Sequence, residues 1–213
     1  RKKSKNYLYP SFDTIAGSGP NGAIIHYRSD KFSNRKLKKN DLLLLDSGGQ
    51  YKWGTTDVTR TLCFSKVSNK IKDIFTRVLK GHIAVASTDI KKAVNGHNID
   101  KIARKSLNSV GLDYRHGTGH GVGAFLNVHE GPQGISKNNY VKLKEGMILS
   151  NEPGFYKKND FGIRIENLVF IKNKKSKLLF ENLTMAPIDK DLINFKMLDK
   201  KEKNYLFKYH FDV

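Results

Sequence analysis

Apolar positions along this chain recur with two different periods, and the switch between them predicts where strands give way to helices. Asp41-Leu42-Leu43-Leu44-Leu45-Asp46 is a short apolar run closed by acids, which predicts a buried strand, and Ser47-Gly48-Gly49-Gln50 is the turn that ends it. Tyr51 to Phe64, rich in Thr and Val, predicts the next strand of a hairpin. The period then changes. Ile71, Ile74, Phe75, Val78, Leu79 and Ile83 recur at helical spacing, predicting a helix through about Ser87. A second helix starts at Asn98 or Asp100, carries Ile99, Ile102, Ala103 and Leu107, and stops at Gly111. From His116 to Gly134 glycine is too frequent for a helix, so loop and extended chain are expected. Met147 to Glu152, Gly162 to Lys172 and Lys177 to Pro187 predict three further strands, and Asp199 to Tyr209 a closing helix with Asp199 as its cap. Strands gathered around a pair of helices, without regular strand–helix alternation, predict an α+β fold.

Composition narrows this to one folded domain. The chain has 213 residues with 38% hydrophobic and 10% aromatic residues, enough for a core and unlike a disordered tail. No run of 18 apolar residues occurs, so no membrane partner is expected. The basic start, Arg1-Lys2-Lys3-Ser4-Lys5, leads into no signal-peptide core, and the missing initiator Met suggests that the chain begins inside a longer protein. Cys63 stands alone, which excludes an internal disulfide and favours a reducing, cytoplasmic location. The net charge, 39 basic minus 20 acidic residues, is +19. Its lysines are spread over turns and ends (Lys38, Lys39, Lys142, Lys144, Lys174, Lys175, Lys200, Lys201). That spread describes a solvated surface, and no nucleic-acid partner is expected. The scarce carboxylates carry more information.

Asp46 ends an apolar strand, Asp57 follows a turn in Gly54-Thr55-Thr56-Asp57-Val58-Thr59-Arg60, and Glu152 follows Ile148-Leu149-Ser150-Asn151. Glu166 lies within Gly162-Ile163-Arg164-Ile165-Glu166-Asn167, and His120 within His116-Gly117-Thr118-Gly119-His120-Gly121-Val122-Gly123. A carboxylate beside a buried strand is costly unless paired or bound to a cation. Four together repel one another, and two divalent cations would cancel their charge. Four carboxylates and one imidazole form an oxygen-rich donor set suited to Mn(II), with Zn, Co or Fe as alternatives. Two such ions roughly 3.5–4 Å apart can share a water, make it hydroxide near neutral pH and clamp a displacement, which is amide-hydrolysis chemistry.

The strings Leu45 to Tyr51, Gly54 to Thr61, His116 to Gly123, Val128-His129-Glu130-Gly131-Pro132, Asn151 to Tyr156 and Gly162 to Asn167 resemble the pita-bread metallopeptidases. The similarity is nearest to their Xaa-Pro aminopeptidase (aminopeptidase P) branch, of the eukaryotic cytosolic type. It runs from about Ser11 to the end of the chain in the family's order, with the 11-residue step from Asp46 to Asp57. The resemblance implies a creatinase/methionine aminopeptidase-like fold, a mixed, curved antiparallel sheet flanked by helices. It implies that residues 1–213 are a C-terminal catalytic domain lacking its first helices and the upstream N-terminal domains. It also implies a homodimer acting on peptides with proline in second position. Asp46, Asp57, His120, Glu152 and Glu166 would hold the metals, Asp57 and Glu166 bridging and Asp46 bidentate. His26 would help hold the substrate and its oxyanion, His129 would contact the scissile amide, and His116 would wall the proline pocket. Glu152 would double as proton shuttle, and Arg164 would orient a carboxylate.

Plainer readings stand beside these. Asp46 and Asp57 taken singly are turn or cap residues, and His26 taken singly is a core histidine. Glu130 is expected to be structural or at the surface. Gly17-Ser18-Gly19-Pro20-Asn21-Gly22 fits a dinucleotide fingerprint, but it is rejected because no apolar strand should lead into it and no helix should open on Pro-Asn-Gly. A prolidase or methionine aminopeptidase on the same fold, or a non-catalytic binding module, are the alternatives.

Overall fold

The computed structural model describes residues 1–213. Two short strands absent from the sequence reading, β1 (Tyr7–Tyr9) and β2 (Ile15–Ser18), come first. β3 (Leu42–Ser47) is the predicted apolar strand, and its alternation puts Asp46 on the same buried face as Leu42 and Leu44. The segment expected as one strand from Tyr51 to Phe64 is three pieces: β4 (Gln50–Tyr51), β5 (Gly54–Thr55) and β6 (Val58–Cys63). Thr56 breaks it. Its N–H donates to Gly49 O at 2.9 Å and its hydroxyl oxygen accepts from Gly49 N–H at 2.9 Å, folding the chain back on itself. β6 then pairs antiparallel with β3, Asp46 opposite Thr59, so Asp57 arrives beside Asp46.

The helix predicted through Ser87 is α1 (Asn69–Ala86), capped by Ser68, whose hydroxyl accepts from Ile71 N–H. Ile74, Phe75, Val78, Leu79 and Ile83 form its buried stripe, and each large side chain there contributes about 1.5–3 kcal/mol by leaving water. A short α2 (Ile90–Ala93) follows, then α3 (Gly96–Asn108). α3 begins earlier than expected because Asn95 caps it, accepting from Asn98 N–H at 3.1 Å. Gly96 costs helix stability, but a Cβ there would lie 1.7 Å from Gly134 O, so the backbones meet where only glycine fits.

β7 (Gly119–His120) pairs with β8 (Gly134–Ile135), and β9 (Ile148–Asn151) opens the second half. The expected strand from Gly162 to Lys172 is split: β10 (Gly154–Lys157) pairs with β11 (Phe161–Arg164), and β12 (Asn167–Lys174) joins β9 and β13 (Lys177–Asn182). The split falls at Ile165–Glu166, where Glu166 N–H donates across to Thr59 O at 3.1 Å. β13 also ends short of the predicted Pro187. Chain closure is by α4 (Lys200–Asp212), where Asp199 and Glu202 form a reciprocal capping box.

Every strand pairing among the described residues is antiparallel. One core lies where α1 and α4 cover β10 and β11, with Phe75, Leu79, Ile163 and Leu206 buried in it. A second joins α3 to β9 and β12 through Ile99, Leu107's neighbour Ala103, Leu149 and Val169. The α+β expectation holds. The two grounds for rejecting the glycine fingerprint do not. β2 leads into it, and a 3₁₀ turn over Gly19–Ala23 opens there because proline is tolerated in a first turn. Its last glycine serves packing, since a Cβ on Gly22 would lie 3.1 Å from Gly17 O and 3.2 Å from Gly162 N. No helix among the described residues is long and apolar enough to cross a membrane.

Candidate metal centre

The ends of β3, β7, β9 and β11 converge on one cavity of about 510 Å³, and all nine residues singled out from the sequence line it. Asp46 closes β3, Asp57 enters β6, His120 lies in β7, Glu152 follows β9, and Glu166 occupies the break after β11. Their donor atoms form groups within 4.8 Å: Asp46, Asp57 and Glu166 in one, His120, Glu152 and Glu166 in a second. Glu166 is common to both. A third group, Asp57, His120 and His129, was not anticipated; the rings of His120 and His129 lie 4.1 Å apart.

The electrostatics of this cluster are unbalanced. Burial raises the pKa of Asp46 to about 6 against the pull of Arg164. Burial likewise raises Glu152 to about 7, opposed by His120 and Arg164. Glu166 is pushed well above the carboxylate range, by burial first and then by Asp57. His120 Nδ1 faces Gly121 O at 2.8 Å, so its Nε2 points at Asp57 Oδ2 and Glu152 Oε1, each 3.4 Å away. Burial alone would lower that imidazole, but the facing Asp57 and Glu152 raise it to about 9. Asp46 Oδ1 and Asp57 Oδ1 are buried without a hydrogen-bond partner. Buried carboxylate oxygens left bare among other carboxylates, with the Nε2 of His120 once a cation displaces its proton, are the donor set a divalent cation fits.

Around this cluster the carboxylate side chains are held. Arg164 Nη2 donates to Asp46 Oδ2 at 2.6 Å, as the sequence reading expected, and its Nε donates to Thr59 Oγ1 at 3.0 Å. Thr59 in turn donates to Glu166 Oε2 at 2.6 Å, and Ser150 donates to Glu152 Oε1 at 3.0 Å. Arg164 Nη1 also donates to the Tyr156 oxygen at 2.7 Å, and His116 Nε2 lies 2.9 Å from that oxygen. A guanidinium only donates and the Gly117 carbonyl beside His116 Nδ1 only accepts. The Tyr156 hydroxyl therefore donates its hydrogen bond to His116 Nε2, and His116 is neutral with its proton on Nδ1. Burial, lowering its pKa to about 4, agrees. With both nitrogens engaged, His116 offers the cavity its ring. His26 and His129 are exposed at the cavity's edge, and Glu130 is a structural residue that accepts from Asn127 N–H at 3.2 Å.

The sequence reading missed Thr59, Ser150, Tyr156, Arg60 and Arg104. Strand alternation carried a signal for Thr59, which lies two residues from Asp57 in the same strand segment. Arg60 is buried and ties Glu166 O to Asn167, Ala186 O and Tyr209. Arg104 is buried too, paired with Asp100 and Asp113 at 2.7 Å each, and donates to Tyr114 O and His116 O. It fixes the segment that carries the histidines.

Residues 1–173 match metallopeptidase family M24, and residues 177–213 match that family's C-terminal region. The chain belongs to metallopeptidase family M24. It is 51% identical over 211 residues to a probable Xaa-Pro aminopeptidase P of Laccaria bicolor, covering 94% of this chain and 33% of that protein. Among solved structures, an X-prolyl aminopeptidase of Caenorhabditis elegans, described as a cytosolic enzyme with a di-nuclear active site, superposes with a TM-score of 0.94. Identity there is 40%, over 100% of this chain and 36% of that one. Prolidase from Pyrococcus furiosus gives a TM-score of 0.75 at 31% identity, over 84% of this chain and 50% of that one. The M24 chain described here thus spans about a third of the length of the curated relatives it matches.

Proposed function

We propose that this chain is the catalytic portion of a two-metal Xaa-Pro aminopeptidase, which hydrolyses the bond between an N-terminal residue and a following proline. The observation that carries the reading is the pair of donor groups sharing Glu166, with Asp46 Oδ1 and Asp57 Oδ1 buried and unpartnered. Asp46, Asp57, His120, Glu152 and Glu166 are assigned as ligands. Manganese is the assigned ion on the oxygen-rich donor set, ahead of zinc, cobalt and iron. When bound, the ions supply Lewis-acid polarisation of the scissile carbonyl and acidify an attacking water.

The protein's own groups do the rest. The bond before proline is a tertiary amide without N–H, so the site needs no acceptor for that hydrogen. It needs a proton for the departing nitrogen. Glu152, beside the position the attacking water would take, is assigned to take a proton from that water and return it to the proline nitrogen. His129 contacts the scissile amide, His26 steadies the developing oxyanion, and the ring of His116 walls the proline. Arg164 keeps Asp46 ionised and aimed. The reading includes a cytosolic site of action and a homodimer; the C. elegans relative is described as cytosolic.

The test is the full-length protein, stripped of metal and reconstituted with manganese, on Arg-Pro-Pro and Arg-Ala-Ala, beside Asp57→Asn. Metal-dependent release of arginine from the first peptide alone, lost in the variant, is expected. Cleavage of the dipeptide Arg-Pro, run as a third substrate, without cleavage of Arg-Pro-Pro would make it a prolidase, and equal cleavage of both tripeptides would remove the proline assignment.

A further inference from the structure

The floor of the cavity is accounted for by its carboxylates; the mouth is not. Asp13 and Arg28 line the same cavity. Arg28 Nη2 lies 3.2 Å from Asp13 Oδ2, with the side chains 79% and 75% exposed. A pair so open to water is screened and weakly held, so either member can exchange its partner for an incoming group. The other guanidinium in the lining, Arg164, is committed to Asp46, Tyr156 and Thr59. Among the described residues, the ion-pair partner of Arg28 is Asp13 alone. Arg28 therefore offers an exchangeable positive charge at the mouth of the cavity.

We infer that Arg28 reads a carboxylate on the part of the peptide that leaves the cavity, either the C-terminus of a short peptide or an acidic side chain beyond the proline. The inference rests on the aminopeptidase reading, which puts the peptide's amino end at the floor and its carboxyl end toward the mouth. An extended tripeptide spans about 10 Å, so its C-terminal carboxylate lies on the mouth side of the scissile bond. A guanidinium fork matches a carboxylate in two parallel hydrogen bonds. Asp13 competes with the substrate for that fork. The pair favours peptides that carry a carboxylate just beyond the proline.

The experiment compares kcat/KM of the full-length, manganese-loaded protein for Arg-Pro-Ala, its C-terminal amide, and the amide of Arg-Pro-Asp. Wild type prefers the free acid over the amide by about 3- to 5-fold, the range of an exposed ion pair, and the preference resides in KM. Arg28→Gln brings the ratio close to 1, Arg28→Lys keeps part of it, and Asp13→Asn raises it. Raising ionic strength from about 0.05 M to 0.5 M shrinks the wild-type ratio. If the aspartyl amide recovers the preference, the side chain is read as well as the terminus; if not, the terminus alone is read, and both outcomes support Arg28. An acid-to-amide ratio that is the same in wild type and Arg28→Gln overturns the inference and leaves the aminopeptidase reading standing. No cleavage of any of the three by the wild type overturns both.

Discussion

Two clusters of buried charge lie at opposite ends of the segment His116–His120, and they differ in how each is closed. Around Arg104 the charges close on themselves. The guanidinium binds Asp100 and Asp113 and donates to two carbonyls, Thr118 donates to Asp100 Oδ1 at 2.6 Å, and Lys137 adds a second cation at Asp113. At the cavity, Asp46, Asp57, Glu152 and Glu166 face one arginine, Arg164, and two of their oxygens bond to nothing. The first cluster is complete as folded and holds a loop in place. The second is incomplete, and a deficit of positive charge that the fold itself creates is the mark of a site waiting for cations.

That contrast can be broken from either side, and the largest effect is expected on the complete cluster. Arg104→Met leaves two carboxylates without their guanidinium, and the unfolding free energy should fall by about 3–5 kcal/mol in chemical denaturation. A loss below 1 kcal/mol would mean that the cluster is not structural. At the incomplete cluster the sign reverses. Glu166→Gln removes one of four mutually repelling carboxylates, so the metal-free protein should gain about 1–2 kcal/mol while losing activity. Since the folded-state pKa of Glu166 is raised, its carboxyl favours the fold below the unfolded value and disfavours it as pH rises. The gain of the variant should therefore grow with pH, and a variant less stable than wild type at pH 8 would contradict the picture.

His82 sharpens the comparison with a buried group that has no charged partner at all. It is fully buried, its Nδ1 lies 3.1 Å from Asn151 O, and burial lowers its pKa to about 3. The unfolded chain takes up the proton near pH 6.5 and the folded chain only near 3. Wild type should thus lose about 1.4 kcal/mol per pH unit relative to His82→Gln as pH falls through that window. Parallel stability curves for the two proteins would rule this out.

Much of the centre was legible in the sequence because carboxylates beside apolar strands are conspicuous one at a time. Asp46, Asp57, His120, Glu152 and Glu166 could be picked out before any partner was known, and the resemblance supplied their roles. The stripe of α1 and the capping box of α4 followed from local spacing. What stayed hidden depends on residues far apart in the chain. Thr59 meets Glu166 across 107 positions, and Arg60 meets Tyr209 across 149. No local pattern announces such pairs. The same cause explains two of the three strands predicted too long, those from Tyr51 and from Gly162. Their breaks at Thr56 and Glu166 are set by hydrogen bonds to Gly49 and Thr59 on other segments, and those breaks deliver Asp57 and Glu166 to the cavity.

The central claim is that the incomplete cluster holds two divalent cations. The direct measurement is metal content per chain, by elemental mass spectrometry, for the full-length protein stripped, re-equilibrated with manganese and freed of excess, with Glu166→Gln alongside. The account predicts two ions per chain in the wild type and a loss of both sites' occupancy in the variant, because Glu166 belongs to both donor groups. Wild-type protein retaining no metal, or a Glu166→Gln variant still retaining two, would contradict it.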